Sequence, residues 1–242
     1  MRPSEWQAVA PADATDGPAD RIAAGVGAVV FDLDGVIVDT EPWWHEVRVA
    51  WAAARGLAWH EADSRACMGR NSREWSRVMR ERLDISDPPA EIERAIVAAL
   101  VARYAAEAVP VVPGAPEAVV RAAAQVPVAI ASSAHRAVIR AALAATGLGA
   151  VFSAIVSSDD VAAGKPAPDV YVEAARRLEV EPARCLVVED SYNGVVAGRA
   201  AGMCVVLVPN PSVPPGPGAA ELADVVIGRL ADLAITRREA AG

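Results

Sequence analysis

From residue 113 onward, short apolar runs alternate with segments in which apolar positions return every three or four residues. The runs at 126–131, 151–156, 185–188, 205–208 and 223–227 predict strands, and their near-continuous hydrophobicity is that of strands buried on both faces. The segments at 117–124, 135–146, 169–178 and 193–201 predict helices, with Gly147 and Gly202 placed where two of them stop. Such alternation builds right-handed βαβ crossovers, hence a parallel sheet covered on both faces. One further buried run, at 27–31, belongs to that sheet by its character but lies far upstream.

Between 43 and 110 the pattern is helical and holds no good strand. Trp44, Val47, Trp51 and Ala54 mark one helix face, with Gly56 as its stop. Asn71 or Ser72 caps a second helix that carries Trp75, Val78, Met79 and Leu83. After Asp87-Pro-Pro, Ile92, Ile96 and Leu100 mark a third. The expected organisation is a loose tail at 1–24, an α/β core formed by 25–42 and 111–242, and a helical insert at 43–110.

Composition narrows the class. The chain has 242 residues, 53% of them hydrophobic, so it can bury a sizeable core and is not globally disordered. Its 23 basic and 31 acidic residues give a net charge of −8, which argues against general nucleic-acid binding but not against a small anionic substrate in a local basic pocket. Cys67, Cys185 and Cys204 are too few and too scattered for a disulfide framework or a zinc site, and a reducing, cytoplasmic setting is expected. The first twenty residues lack the apolar stretch of a signal peptide. The charge-free runs at 141–158 and 200–220 are broken by glycines and by five prolines respectively, so no membrane span is expected. Nothing requires more than a monomer.

Four polar segments stand at or just after predicted strand ends: Asp32-Leu-Asp34-Gly35, Ala131-Ser132-Ser133, Gly164-Lys165-Pro166 and Glu189-Asp190-Ser191. Ligands of open α/β sheets bind at the carboxyl ends of strands. In extended backbone Asp32 and Asp34 point the same way, and two such carboxylates coexist only if a cation binds or one stays protonated. An EF-hand reading fails, because Val36 falls at loop position 5 and Gly35 at position 4, two places early for the loop glycine. Glu189 and Asp190 add carboxylates, and an oxygen-only donor set favours magnesium. Lys165 would offset negative charge, and Ser132 could donate to a phosphoryl oxygen.

With these residues in order, the chain resembles the haloacid dehalogenase superfamily of phosphohydrolases, in the subgroup of β-phosphoglucomutase and the sugar-phosphate phosphatases. The match comprises Asp-Leu-Asp-Gly-Val-Ile-Val-Asp-Thr-Glu from Asp32, then Ser132, Gly-Lys-Pro-Ala-Pro-Asp-Val-Tyr171 and Val-Glu-Asp-Ser-Tyr-Asn-Gly194, and it extends over about 27–235. The resemblance implies a Rossmann-like parallel-sheet core with an inserted α-helical cap. It implies Asp32 as the nucleophile that forms an aspartyl-phosphate, and Asp34 as the acid and base for leaving group and water. Mg2+ would be held by Asp32, the Asp34 main-chain carbonyl and Asp190, with Glu189 direct or through water. Ser132, Ser133 and Lys165 would hold the phosphoryl group. These acids and a phosphate dianion together outweigh magnesium and Lys165, so a further cation from the cap is expected. Arg73 matches the cap arginine of the mutase-like relatives, with Arg70 its close competitor. Trp43, Trp44 and Trp51 fit core packing better than sugar stacking.

The expected function is hydrolysis of a small phosphorylated metabolite, with a sugar phosphomutase as the alternative. His45 lies near the position of a mutase histidine, but Asp39-Thr-Glu-Pro resembles the phosphatases, and Ser132-Ser-Ala-His-Arg136 departs from the mutase pattern. A phosphate-responsive module without enzymatic activity would have no use for Asp34, and a dehalogenase would need neither Asp34 nor the Glu189–Asp190 pair.

Overall fold

Strand β1 (Ala28–Phe31) is buried along its whole length and runs through the interior of a six-stranded sheet. A computed structural model describes residues 25–235, so the expected tail at 1–24 lies outside the described residues. The other strands are β2 (Val128–Ser132), β3 (Ala154–Ser157), β4 (Cys185–Glu189), β5 (Cys204–Leu207) and β6 (Val225–Val226). Their order across the sheet is β3-β2-β1-β4-β5-β6, and every neighbouring pair is parallel. β1 is flanked by β2 and β4, with Val29 level with Val128 on one side and Leu186 on the other.

Alternation along these strands feeds two apolar layers. Val29, Phe31, Ile130, Leu186 and Val188 pack in one, with α5 (Ala115–Ala123) and α6 (Arg136–Thr146). Ala28, Val30, Ala129, Val187 and Val205 pack in the other, with α7 (Asp169–Leu178) and α8 (Tyr192–Ala200). This is the α/β, Rossmann-like architecture expected from the sequence. No helix among the described residues is long and apolar enough to cross a membrane.

Between β1 and α5 lie four helices, α1 (Glu41–Ala53), α2 (Glu61–Cys67), α3 (Ser72–Leu83) and α4 (Pro89–Ala106). Three were expected. The short α2 carries too few apolar positions to announce itself, and it is held by a reciprocal cap between His60 and Asp63. Asn71 caps α3 as expected, accepting from the Glu74 amide at 3.0 Å. On α1 the buried positions are Trp43, Trp44, Arg48 and Ala52, so the buried stripe is rotated from the expected one and Ala54 is exposed. α4 also packs on α6 of the core, and the first apolar layer continues through both without a break. The two ends of the insert leave the sheet side by side, with the Asp39 amide donating to the Pro110 carbonyl at 2.8 Å.

Elements near the loops shifted more. β3 begins at Ala154, not at 151, because Val151 closes a turn on the Leu148 carbonyl and Phe152 is drawn edge-on against Phe31, 6.3 Å between centroids. A one-turn α9 (Ala219–Leu222) precedes β6, which is only two residues long.

Candidate active site

At the carboxyl edge of the sheet the ends of β1, β2 and β4 meet a cavity of about 250 Å³, roofed by the helical insert. Its lining includes Asp32, Asp34, Ser132, Ser133, Lys165 and Asp190, which lie far apart in the chain. That volume falls below the roughly 300–1,000 Å³ of pockets that take drug-sized ligands, and it suits a small metabolite.

Asp32 follows β1 and donates its amide to the Val188 carbonyl, which continues the sheet one residue further. Its Oδ1 accepts from Lys165 Nζ at 2.8 Å. The same ammonium donates to Glu189 Oε1 at 2.6 Å, and Tyr171 Oη donates to that oxygen at 2.7 Å. Glu189 Oε2 accepts from the amides of Asp190 and Ser191 and from the Ser191 hydroxyl, each at 3.0 Å. Both carboxylate oxygens of Glu189 therefore already have protein donors. Room for it comes from Gly194, where a Cβ would stand 1.7 Å from Oε1.

Burial opposes ionisation of Glu189, yet Lys165 and these donors hold its pKa below the usual range. The Lys165 ammonium is in turn held up by Asp32 and Glu189, against the effect of its own burial. Asp32 is pushed up to about 7, first by burial and then by Glu189 and Asp34, with Lys165 working the other way.

Asp34 sits at the turn after β1, where Gly35 adopts φ +82. There a Cβ would lie 1.9 Å from Asp190 Oδ2, so only glycine admits Asp190 to the cavity. Thr40 Oγ1 donates to Asp34 Oδ1 at 2.7 Å, which leaves Tyr104 Oη to donate to Thr40 at 3.1 Å. Trp44 Nε1 adds a longer contact to the same Oδ1, at 3.4 Å. Burial raises the Asp34 pKa despite these donors. Asp190 is raised well above the usual range by burial, then by the charges of Glu189 and Asp32.

Ser132 ends β2, and its Oγ accepts from the Ala134 amide at 3.0 Å, which leaves the hydroxyl proton free for another acceptor. Ser157 and Ser158 pin this loop by donating to the carbonyls of Ala134 and Ser133.

Asp32, Glu189 and Asp190 bring one ligand oxygen each within 4.8 Å of one another. All are hard oxygen donors, and Asp32 and Asp190 are buried where a proton or a cation must balance them. That donor chemistry fits magnesium. Glu189 fits less as a direct ligand than as the anchor of Lys165.

Arg73 is exposed on α3 and is not among the lining residues, whereas Arg70 and Arg48 are. Trp44 lines the cavity, Trp43 is buried against Tyr104, and Trp51 is half-buried under the Arg55 guanidinium. His45 is not a lining residue; its Nδ1 lies 2.8 Å from Ser64 Oγ. Trp59 Nε1 donates to that same hydroxyl, so Ser64 donates its own proton to His45. Sequence reasoning gave no role to Thr40, Glu41, Arg48, Tyr104 or Tyr171. Thr40 and Tyr171 lay inside the quoted motifs, while Arg48 and Tyr104 read as ordinary helix residues.

A family profile described as haloacid dehalogenase-like hydrolase matches residues 26–202. The chain is 33% identical over 211 residues to the bifunctional riboflavin kinase/FMN phosphatase of Arabidopsis thaliana; the alignment covers 86% of this chain and 55% of that protein, so the chain spans about half its length. Over 182 residues it is 33% identical to the fructose-1-phosphate phosphatase YqaB of Escherichia coli, covering 72% of this chain and 92% of the relative. Among solved structures, a variant of CbbY from Rhodobacter sphaeroides in complex with xylulose-(1,5)bisphosphate matches with a TM-score of 0.76 at 26% identity, over 86% of this chain and 96% of that one. Residues 26–202 include Asp32, Asp34, Lys165 and the Glu189–Asp190 pair, so the matched span contains the constellation at the sheet edge. The chain belongs to the haloacid dehalogenase-like hydrolases, and its relatives there include sugar-phosphate phosphatases and β-phosphoglucomutase-like proteins.

Proposed function

We propose that this protein is a magnesium-dependent phosphomonoesterase that hydrolyses a small phosphorylated metabolite, of the sugar-phosphate class, through an aspartyl-phosphate on Asp32. The observation that carries the reading is the pairing of two differently prepared acids on one cavity wall. Lys165 donates to one oxygen of Asp32, while Asp34 is half-buried with donors on one oxygen only. The insert at 43–110 acts as the cap over a core of 25–42 and 111–242. The enzyme works as a monomer in the cytoplasm, where its three buried thiols stay reduced.

In this reading Asp32 attacks phosphorus with the oxygen that Lys165 does not hold, and the ester P–O bond breaks. Donors from Thr40 and Trp44 occupy Asp34 Oδ1, which leaves Oδ2 to carry the proton given to the departing alkoxide. The Asp34 carboxylate then takes a proton from water as that water attacks the acyl-phosphate. Phosphate departs and Asp32 is regenerated. Lys165, Ser132 and the Ser133 main chain hold the phosphoryl oxygens, where charge stabilisation dominates this chemistry. Magnesium, held by the Asp32 and Asp190 carboxylates and the Asp34 carbonyl, would supply positive charge at the phosphoryl oxygens.

The engagement of His45 with Ser64, away from the cavity lining, favours hydrolysis over the mutase alternative. A phosphate-release screen over phosphorylated metabolites, with magnesium and after exhaustive chelation, tests the proposal. Magnesium-dependent release from at least one ester is expected. Full activity after chelation, or no release from any ester, overturns it.

A further inference from the structure

The chemistry above leaves the buried cation of the insert unused. Arg48 lines the cavity from α1 and is 3% exposed. Its guanidinium carbon stands 5.1 Å from the ring centre of Trp44 and 5.4 Å from that of Trp75. The indoles lie edge-to-face to one another, 5.9 Å apart, so the cation rests against both aromatic rings. Its Nε is buried and has no hydrogen-bond partner, and the guanidinium forms no hydrogen bond or ion pair among the described residues.

A buried charge is ordinarily paired, because desolvation costs far more than aromatic faces return. The titratable groups that bear on Arg48 here are the Cys67 thiol, then Glu41 and Asp34. None of them forms a hydrogen bond or an ion pair with the guanidinium among the described residues. Arg70 lines the same cavity, and its Nε is spent on the Ala66 carbonyl. Of the three cations that line the cavity, Arg70 is exposed to solvent, and the two buried ones are Lys165 at the phosphoryl centre and Arg48 under the insert. A neutral hydroxyl would leave Arg48 unbalanced. An anion would balance it, and a planar guanidinium matches carboxylate and phosphate oxygens two at a time.

We propose that Arg48 receives a second acidic group of the substrate, so that the preferred substrates are small phosphate esters that also carry a carboxylate or a second phosphate. This deepens the phosphatase reading and rests on it for turnover, but not for binding.

Matched esters test it. The first pair is 3-phosphoglycerate against glycerol 3-phosphate, and the second is fructose 1,6-bisphosphate against fructose 1-phosphate. The two pairs separate a carboxylate from a phosphate as the second acid. For each, kcat/KM and the Kd from tryptophan fluorescence are measured on the wild type, Arg48→Gln and Arg48→Lys. Charge-assisted pairing predicts a wild-type preference of roughly 10–100-fold for the diacid in at least one pair. Arg48→Gln should bring that ratio to near unity. Arg48→Lys, which keeps the charge without the fork, should retain part of it. Ratios near unity for both pairs in the wild type overturn the proposal. So does an equal loss on diacid and monoacid esters in both variants, which is the signature of a packing defect. If no ester is hydrolysed, the phosphatase reading fails while the Kd ratios still decide the role of Arg48.

Discussion

Lys165 donates to Glu189 across 2.6 Å with side chains only 4% and 0% exposed, and this pair stands directly behind Asp32. A free lysine beside one aspartate would settle onto it and blunt it. Here Glu189 shares the ammonium, and Tyr171 and the first turn of α8 fix Glu189 itself.

Glu189→Gln should therefore cost more than a surface charge. Removing one partner of a buried ion pair typically destabilises by about 3–5 kcal/mol. A clear fall in denaturation midpoint is expected, together with lost phosphate release, since Lys165 would collapse onto Asp32. An unchanged midpoint would show that Lys165 is satisfied by Asp32 alone.

Asp34→Asn should separate leaving groups. Acid–base catalysis supplies roughly 10²–10⁴-fold, so a sugar phosphate with a poor leaving group should lose turnover in that range. p-Nitrophenyl phosphate, which departs unaided, should lose much less in the first step. Paired kcat measurements read the difference; equal losses would give Asp34 a purely structural place beside Thr40.

Glu41 gives the cleanest pH prediction. Its folded pKa of about 7 lies above the unfolded value, so folding favours its protonated form. That contribution is full below the unfolded pKa of about 4.3. It fades as pH rises toward 7 and is gone above it. Glu41→Gln should remove this slope, with a gain over wild type that is larger at pH 8 than at pH 5 by on the order of 1–3 kcal/mol. Urea denaturation at the two pH values checks it; parallel shifts at both would mean that Glu41 does not titrate in this range.

Besides the packing of α4 on α6, two glycine–asparagine contacts join the roof to the core. A Cβ on Gly69 would come within 3.1 Å of Asn193 Nδ2, and one on Gly164 within 3.0 Å of Asn71 Nδ2. Gly164→Ala should push the insert outward and disturb the Asn71 cap, a loss of about 1 kcal/mol for the helix. The effect on kcat/KM for a substrate that fills the cavity should exceed that on p-nitrophenyl phosphate. A uniform effect on both would confine the change to the Lys165 loop.

What the sequence revealed and concealed follows from the range of the interactions involved. Strands such as 185–188 and the helix 169–178 were legible because their apolar spacing is local, and α7 has the expected bounds. Asp32, Asp34 and Asp190 were legible because each sits where a strand ends, and Lys165 because it stands between glycine and proline in the loop that follows β3. Arg48 was not, because a lone arginine on a helix looks solvated until Trp75, from another helix, closes over it. Arg73 drew attention by its neighbours in sequence, yet α3 turns it outward while Arg70, one helix boundary earlier, reaches the cavity.

The hydrogen bond between Asp39 and Pro110 has a practical consequence for protein engineering. The insert enters and leaves through adjacent backbone positions, and Val112 also donates to the Ile37 carbonyl at 3.0 Å. The chain on either side is thus already in register for a short turn. A roof taken from another source, or a tight loop in its place, could be spliced there with little loop-closure penalty, because the ends to be joined are already neighbours. Such chimaeras would exchange Arg48, Trp44, Trp75 and Arg70 as one cassette, altering which molecule is admitted while the acids at the sheet edge stay as they are.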